Sequence, residues 1–140
     1  MTTGITKVSI EQQVNVPTIN NNESDADVAA INNGQFFVVF ERELTPGADI
    51  NILGQFVNAD GTLSGAQVTI DNGVGLQINP AVAARLGGGA TIVWLDQNDS
   101  DEIEFRTVNN AGVTTAEFDV LTVVPTSTRP TSRSLQTAAS

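Results

Sequence analysis

The sequence predicts an all-β protein made of two four-stranded antiparallel repeat units. Apolar and polar residues alternate with a period of two, and nowhere do apolar residues recur convincingly at helical spacing. Residues 28–40 match residues 82–94 without a gap, at an offset of 54 positions. Turn-forming pairs such as Asn33-Gly34 recur every ~8 to 12 residues, which is the spacing of a meander of short strands.

The internal match continues and defines the repeat. After a three-residue deletion, residues 52–61 align with 103–112, and residues 66–70 align with 116–120. A unit of about 50 residues is too long for a helical hairpin and suits four strands. Since one repeated unit usually cannot bury its apolar face alone, the repetition also predicts that units stack on one another.

Each unit is expected to contain four strands, near 27–31, 35–42, 50–57 and 66–70 in the first and near 81–85, 90–95, 102–108 and 116–120 in the second. The second strand of each unit is a continuous run of apolar and β-branched residues, which predicts a central strand covered on both faces. The glycine triplet 87–89 aligns with residues 33–35 and predicts a hairpin turn rather than a phosphate loop.

The N-terminal segment carries weaker strand patterns. Val14-Asn15-Val16 stands 54 positions before Val68-Thr69-Ile70, so it resembles the last strand of a missing preceding unit. A short strand is also expected at residues 8–10. The chain therefore divides into an N-terminal strand segment (1–24), a first β repeat (25–70), a second β repeat (71–120) and an extended arm (121–140).

The arm differs in composition from the body. Residues 121–140 contain nine Ser or Thr, two prolines and no acid, which favours an extended or disordered segment. Residues 1–120 carry a net charge of −12 and the arm carries +2, so the arm is expected to lie on an acidic body, its own or a neighbour's. We expect deletion of residues 121–140 to abolish assembly. The residues assigned to this contact are Pro125, Arg129, Pro130, Arg133 and Leu135.

Composition excludes several classes of function. A net charge of −10 argues against nucleic-acid binding, because phosphate contacts need a positive surface. The absence of cysteine and histidine removes disulfides, thiolate and imidazole metal sites, and Ser-His or Cys-His dyads. No apolar run approaches the ~18 to 20 residues of a membrane span. The first residues show no basic region followed by an apolar stretch, so no signal peptide is visible.

Two polar groups are candidates for chemical sites. The acidic loop after the sixth predicted strand could offer oxygen ligands to Ca²⁺ through Asp96, Asn98, Asp99 and Asp101. The other interpretation is a solvated hairpin loop that discourages edge-to-edge association. Glu41 and Glu43 share a strand face, but no neighbouring group is expected to tune them for acid–base catalysis. No enzymatic activity and no obligatory cofactor are therefore expected, with Ca²⁺ left open.

Trp94 occupies the repeat position of Phe40, at the end of a central strand. This position suits a core role, and the other interpretation is a sugar-stacking platform. In that second case Arg106 and Asn109 would provide hydrogen bonds to the carbohydrate.

The run 79–94, the acidic loop, Ile103-Glu104-Phe105-Arg106 and the turn at 109–112 resemble the ~50-residue repeats of large secreted bacterial adhesins and toxin-like calcium-binding proteins. The resemblance covers residues 14–120. It implies that each unit is a blade of a β-propeller, although two blades cannot close a ring of ~4 to 8. Either several chains complete a ring or the two units pack as a sandwich.

The sequence thus favours a non-enzymatic structural or interaction protein whose partners are copies of itself and, in one setting, a capsid or tail protein. A bacteriophage capsid decoration (cement) or tail component, at the virion surface or otherwise extracellular, fits the acidic body and the arm. The alternative is a carbohydrate-binding lectin made of associated blades, with glycans as its ligands.

Overall fold

The computed structural model describes residues 11–15, 21–98 and 101–120. These residues form an all-β structure of two four-stranded antiparallel sheets, as predicted. The first sheet contains β1 (Asn22–Ala30), β2 (Phe36–Thr45), β3 (Asp49–Val57) and β4 (Leu63–Asp71). The second contains β5 (Gln77–Ala84), β6 (Ala90–Asp96), β7 (Glu102–Val108) and β8 (Phe118–Asp119). Both sheets are meanders in chain order, and neither closes on itself.

Hydrogen bonds in the hairpin turns confirm the repeat. The N–H of Ile31 donates to the carbonyl of Gln35 (2.8 Å), and 54 positions later Arg85 donates to Gly89 (3.0 Å). The predicted glycine-triplet turn is therefore the hairpin that joins β5 to β6. The third turn of each sheet, at 58–62 and 109–113, is closed by equivalent bonds at an offset of 51. The three-residue deletion consequently lies between these turns.

A shared irregularity in the first strand of each sheet was not predicted. The register of β1 shifts between Ser24 and Asp27, and that of β5 shifts between Ile78 and Ala81. Asp25 and Asn79, one at each bulge and 54 positions apart, have positive φ angles of 42° and 56°. Asp and Asn tolerate this left-handed conformation better than other side chains with a Cβ. The bulge lets β1 begin at Asn22, earlier than expected.

The N-terminal segment is only partly described. Val14 and Asn15 are not in a strand. For these two residues, the prediction that they form the last strand of a preceding unit is therefore wrong. Val16, the expected strand at 8–10 and the arm at 121–140 lie outside the described residues. Val14 and Asn15 nevertheless lie beside Val38 and Phe40 and line a pocket with them.

The two sheets share one hydrophobic core. Side chains from β2, β3 and β4 meet side chains from β6 and β7, and all of them are 5% exposed or less. The core also includes Ile31 in the first hairpin turn. Its buried members are Ile31, Phe37, Val39, Ile52, Phe56, Ile70, Ala90, Ile92, Trp94 and Val108.

The two sheets stack in the same orientation. The core side of β2 carries Phe37 and Val39, whose repeat equivalents Thr91 and Val93 lie on the side of β6 away from the core. Conversely, the core side of β6 carries Ala90, Ile92 and Trp94. Each sheet therefore uses the opposite face to meet its neighbour, as successive members of a stack do.

This arrangement leaves one face of each sheet uncovered by the other. β2 and β6 are interior strands, as predicted, but coverage on both faces is not achieved: Phe36 of β2 is 41% exposed. The reason is that two sheets in a stack can cover only one face of each other.

Candidate functional site

The two uncovered sheet faces are the main candidate interaction surfaces. The first open face lies on the first sheet and carries Val28, Phe36, Val38 and Phe40. The second open face lies on the second sheet and carries Val93, Leu95, Ile103, Phe105 and Phe118. Alternation along the strands puts each set on the side of its sheet opposite to the core.

Several of these apolar side chains are exposed to solvent. Val28 and Phe36 on the first open face are 56% and 41% exposed, and Ile103 and Phe118 on the second are 45% and 50% exposed. Phe118 stacks on Phe105 with ring centroids 5.3 Å apart. Clustered apolar exposure of this kind marks interaction surfaces in soluble proteins.

Each open face also contains a shallow pocket. The pocket on the first open face has a volume of about 300 Å³ and lies against Val38 and Phe40. The pocket on the second has a volume of about 270 Å³ and lies against Val93, Leu95 and Ile103. Phe40 itself is only 4% exposed, and the guanidinium of Arg42 lies 5.9 Å from its ring centroid.

Two carboxylates clamp the sheets together inside the molecule. Asp27 Oδ2 accepts a hydrogen bond from the N–H of Val82 (2.8 Å), and Glu41 Oε1 accepts one from the N–H of Asn79 (2.7 Å). Glu41 is 4% exposed and also accepts a bond from Ser24 Oγ. Its described contacts therefore give it a structural role. Glu43 accepts a bond from the N–H of Gly47 at the end of the hairpin.

A group of carboxylates lies where β4 of the first sheet meets the second sheet. Oxygen atoms of Asp71, Glu104 and Glu117 all lie within 4.8 Å of one another. Asp71 and Glu104 are 5% and 6% exposed, and Oε2 of Glu104 has no hydrogen-bond partner among the described residues. A second group, Glu102, Glu104 and Asp119, shares Glu104 with the first.

One guanidinium lies beside this carboxylate group. Arg106 Nη2 donates to Glu117 Oε2 (2.9 Å), and Nη1 donates to the carbonyl of Ile70 in the first sheet (2.5 Å). Burial raises the pKa of Glu104 to about 7, helped by the negative charges of Glu117, Asp96, Asp71 and Asp119. Burial and Asp71 also raise the pKa of Glu117, although Arg106 and a hydrogen bond with the Glu104 carboxyl oppose this shift.

The predicted sugar-binding residues do not form one surface. Trp94 is 1% exposed and belongs to the core, so its ring faces are closed to a sugar. Arg106 is held by Glu117 and Ile70 as described. Asn109 lies in the turn after β7 and accepts bonds from the N–H groups of Ala111 and Val113. Asn109 is five residues beyond Glu104, the strand partner of Trp94, or about 17 Å along an extended strand.

The predicted calcium loop is hydrogen-bonded within itself and to the connection between β4 and β5. Asp96 Oδ1 accepts a bond from the N–H of Asn98 (2.7 Å), and the Asn98 amide donates to the carbonyl of Val74. Asp99 lies outside the described residues. Neither Asp96 nor Asp101 belongs to a described group of three carboxylates within 4.8 Å of one another. The carboxylates that do converge were not predicted.

The open faces and the carboxylate group, which were not predicted, differ in whether the sequence contains a signal for them. The open faces follow from strand alternation combined with the repeat alignment, since residues 36, 38 and 40 must face opposite to residue 37. No sequence pattern indicates the carboxylate group. Asp71, Glu104 and Glu117 are far apart in the chain and meet only through the packing of the two sheets.

The comparisons with known proteins identify no relative. No protein-family model, no curated protein and no solved structure matches the chain. Within the part of the chain that the structure describes, no helix is long and apolar enough to cross a membrane.

Proposed function

We propose that this protein is a non-enzymatic structural module whose copies associate head to tail. In this association the second open face of one copy packs on the first open face of the next. The partner is a second copy of this chain. The observation that carries the proposal is that the two sheets stack in the same orientation. The first open face is therefore the repeat equivalent of the face that the second sheet turns to the core. The second open face is likewise the equivalent of the face that the first sheet turns to the core.

The internal contact serves as a template for the contact between copies. Inside the molecule, Val39 and Ile52 of the first sheet share one core with Ile92 and Trp94 of the second. The equivalent positions across two copies are Val93 and Ile103 on the second open face and Val38 and Phe40 on the first. Both sets are apolar. Phe40 is already only 4% exposed, so the surface whose burial would favour association is that of Val38, Val93 and Ile103.

The contact between copies lacks the carboxylate clamps. The repeat equivalents of Asp27 and Glu41 are Ala81 and Leu95, which cannot accept a hydrogen bond through their side chains. Within one molecule the sheets are also covalently linked. We therefore expect the contact between copies to be weaker than the internal one and to depend on protein concentration.

Different faces on the two partners make the interface heterologous. Such contacts form a ring if the rotation between copies closes and a filament if it does not. A propeller-like ring completed by several chains is the closed form we favour. The setting we propose is a particle built from many identical subunits, such as a bacteriophage capsid with its decoration proteins or a tail.

Charge substitutions on the two faces test this proposal. Val28→Glu disables the first open face and Ile103→Glu disables the second, while Val74→Glu places the same charge at a loop position that is 91% exposed. Sedimentation velocity of the full chain over a range of concentrations should show that each face variant associates at least about 100-fold more weakly, because an unpaired buried charge costs ~3 to 5 kcal/mol. Val74→Glu should associate as the parent does.

Mixing the two face variants gives the sharper result. Each retains one intact face, and the intact faces differ, so an equimolar mixture should form a heterodimer that stops at two chains. If the interface were symmetric, mixing the two variants would not restore association. A parent chain that stays monomeric at the highest concentrations, or variants that associate as well as the parent, would contradict the proposal.

The lectin alternative has no comparable support. The ring of Trp94 is buried, and Asn109 lies at the far end of β7 from the strand partner of Trp94. The expected contribution of the arm concerns residues outside the described part of the chain. Deletion of residues 121–140 separates that contribution from the stacking of the faces.

A further inference from the structure

We propose that Asp71, Glu104 and Glu117 form a binding site for a hard divalent cation, with Ca²⁺ as the ion that suits it best, at the boundary between the two sheets. This inference is independent of self-association, because all three residues belong to one chain.

The spacing of the carboxylates fits one ion. Oxygens from Asp71, Glu104 and Glu117 lie within 4.8 Å of one another. Two ligands on opposite sides of a Ca²⁺ ion are separated by about 4.6 to 5.2 Å, since each lies at 2.3 to 2.6 Å from the metal. Three carboxylates offer up to six oxygens, and solvent can reach the site past the Glu117 side chain, which is 34% exposed.

Glu104 provides a second and independent indication. Its side chain is 6% exposed, and Oε2 is sealed from solvent without a hydrogen-bond partner among the described residues. Buried polar atoms are nearly always partnered, and an ionised carboxylate is especially costly to bury alone. In the metal-free protein a proton shared with the Glu117 carboxyl satisfies Glu104 in part, and a cation at the centre of the group would take the place of that proton.

The charge of the group also matches a divalent ion. Three carboxylates and the guanidinium of Arg106 leave a net charge of −2 when all are ionised. Arg106 is already directed at Glu117 and at the carbonyl of Ile70. Glu104 and Asp71 therefore have no basic side chain from the described residues in an ion pair with them.

The neighbouring group of Glu102, Glu104 and Asp119 is the competing position for the ion. Glu102 is partly buried and Asp119 is exposed, whereas Asp71 is 5% exposed. We assign the ion to the more buried group because water competes less there. Asp71 comes from β4, Glu104 comes from β7 and Glu117 directly precedes β8, so the ion would join the two sheets.

Calcium titration of the full chain at about pH 8, where the carboxylates ionise most completely, tests the assignment. The chain contains one tryptophan, Trp94, whose strand partner is Glu104. We expect saturable binding of one Ca²⁺ by calorimetry, a change in Trp94 fluorescence with the same midpoint, and a rise in the unfolding temperature that a chelator reverses.

Three variants locate the ion. Glu104→Gln and Glu117→Gln should each raise the dissociation constant at least about tenfold, since loss of even an outer-shell partner of a metal ligand costs about 10- to 100-fold. Because Glu117 is partly exposed, its variant reports on the site even if Glu104→Gln fails to fold. Glu43→Gln removes an equal charge from β2 and should leave binding unchanged.

Three results would overturn the assignment. One is the absence of saturable binding by the parent chain. Another is equal weakening in all three variants, which would mean diffuse attraction to an acidic surface. The third is loss of binding in Glu102→Gln with retention in Glu117→Gln, which would move the ion to the neighbouring group.

Discussion

Gly54 and Phe37 show how single residues adapt the repeat. The ring of Phe37 lies over Gly54, and a Cβ at position 54 would come within 2.9 Å of its Cε1 atom. In the second sheet the equivalent residues are Thr91 and Phe105, so the large side chain has moved to the neighbouring strand. The large ring is therefore in the core of the first sheet, as Phe37, but on the second open face, as Phe105.

Replacement of Gly54 by alanine should destabilise the fold. Overpacking against Phe37 costs ~1 to 3 kcal/mol, which exceeds the gain from a less flexible unfolded chain. Urea unfolding followed by Trp94 fluorescence measures the difference. Gly73→Ala is the matched control, because the nearest atom to its Cβ, on the Gln77 side chain, is 3.4 Å away, which is an ordinary van der Waals contact. Equal stability of the two variants would contradict the packing described.

Glu104 should make the metal-free protein less stable as pH rises. Its pKa is about 7 in the folded chain, against 4.5 for an ordinary Glu. The folded state therefore holds a proton that the unfolded state has lost between these values. Stability decreases as pH rises from 4.5 through about 7, and is constant with respect to this group above that range.

In the presence of a chelator, we expect a loss of the order of 2 kcal/mol in unfolding free energy between about pH 5.5 and about pH 8. Glu104→Gln should remove most of this dependence, since glutamine resembles the protonated acid. The Glu117 carboxyl, with its raised pKa, contributes in the same direction. If the Glu104→Gln variant keeps the full pH dependence of the unfolding free energy, that dependence arises from other groups.

Residue roles were predictable where they depended on strand pattern. The position of Trp94 at the end of a continuous apolar strand favours the core over a sugar platform, and the structure confirms the core position. The convergence of Asp71 with Glu104 was not predictable, because it depends on how far one sheet is shifted over the other. No local sequence pattern encodes that shift.

At the scale of elements, turn chemistry located the strands well. Every predicted strand of the two repeats overlaps an observed one, because Gly- and Asn-containing turns limit each strand. The bulges at Asp25 and Asn79 were missed, since neither residue is a glycine. The repeat alignment pairs these two residues, and a paired Asp and Asn in a strand is the trace that could have indicated the bulge.

The clamp at Glu41 can be tested by exchanging it with its repeat equivalent. Glu41→Leu leaves the N–H of Asn79 without its carboxylate acceptor, and we expect a loss of about 1 to 2 kcal/mol in stability. Leu95→Glu introduces the carboxylate on the second open face, where it should leave the stability of one molecule nearly unchanged. Chemical unfolding at low protein concentration compares the two, and a larger loss for Leu95→Glu would contradict the assigned faces.

For the whole molecule, the central feature is that equivalent sheets meet through opposite faces. Asn32 in the first hairpin turn donates to the carbonyl of Leu86, its own repeat equivalent in the second. A contact between equivalent positions is what simple stacking of one repeat on the next produces. The sequence predicted repetition and stacking, but alternation alone could not tell which face of each sheet would meet the other.

Cross-linking of single-cysteine variants tests head-to-tail stacking most directly. Asp27 contacts Val82 inside the molecule, and the equivalent pair between copies is Ala81 of one chain and Val28 of the next. The parent has no cysteine, so a short thiol cross-linker acts only at the introduced sites. We predict covalent dimers when Ala81→Cys and Val28→Cys chains are mixed and few when either is treated alone. Equal cross-linking within each variant alone, or none in the mixture, would contradict the account.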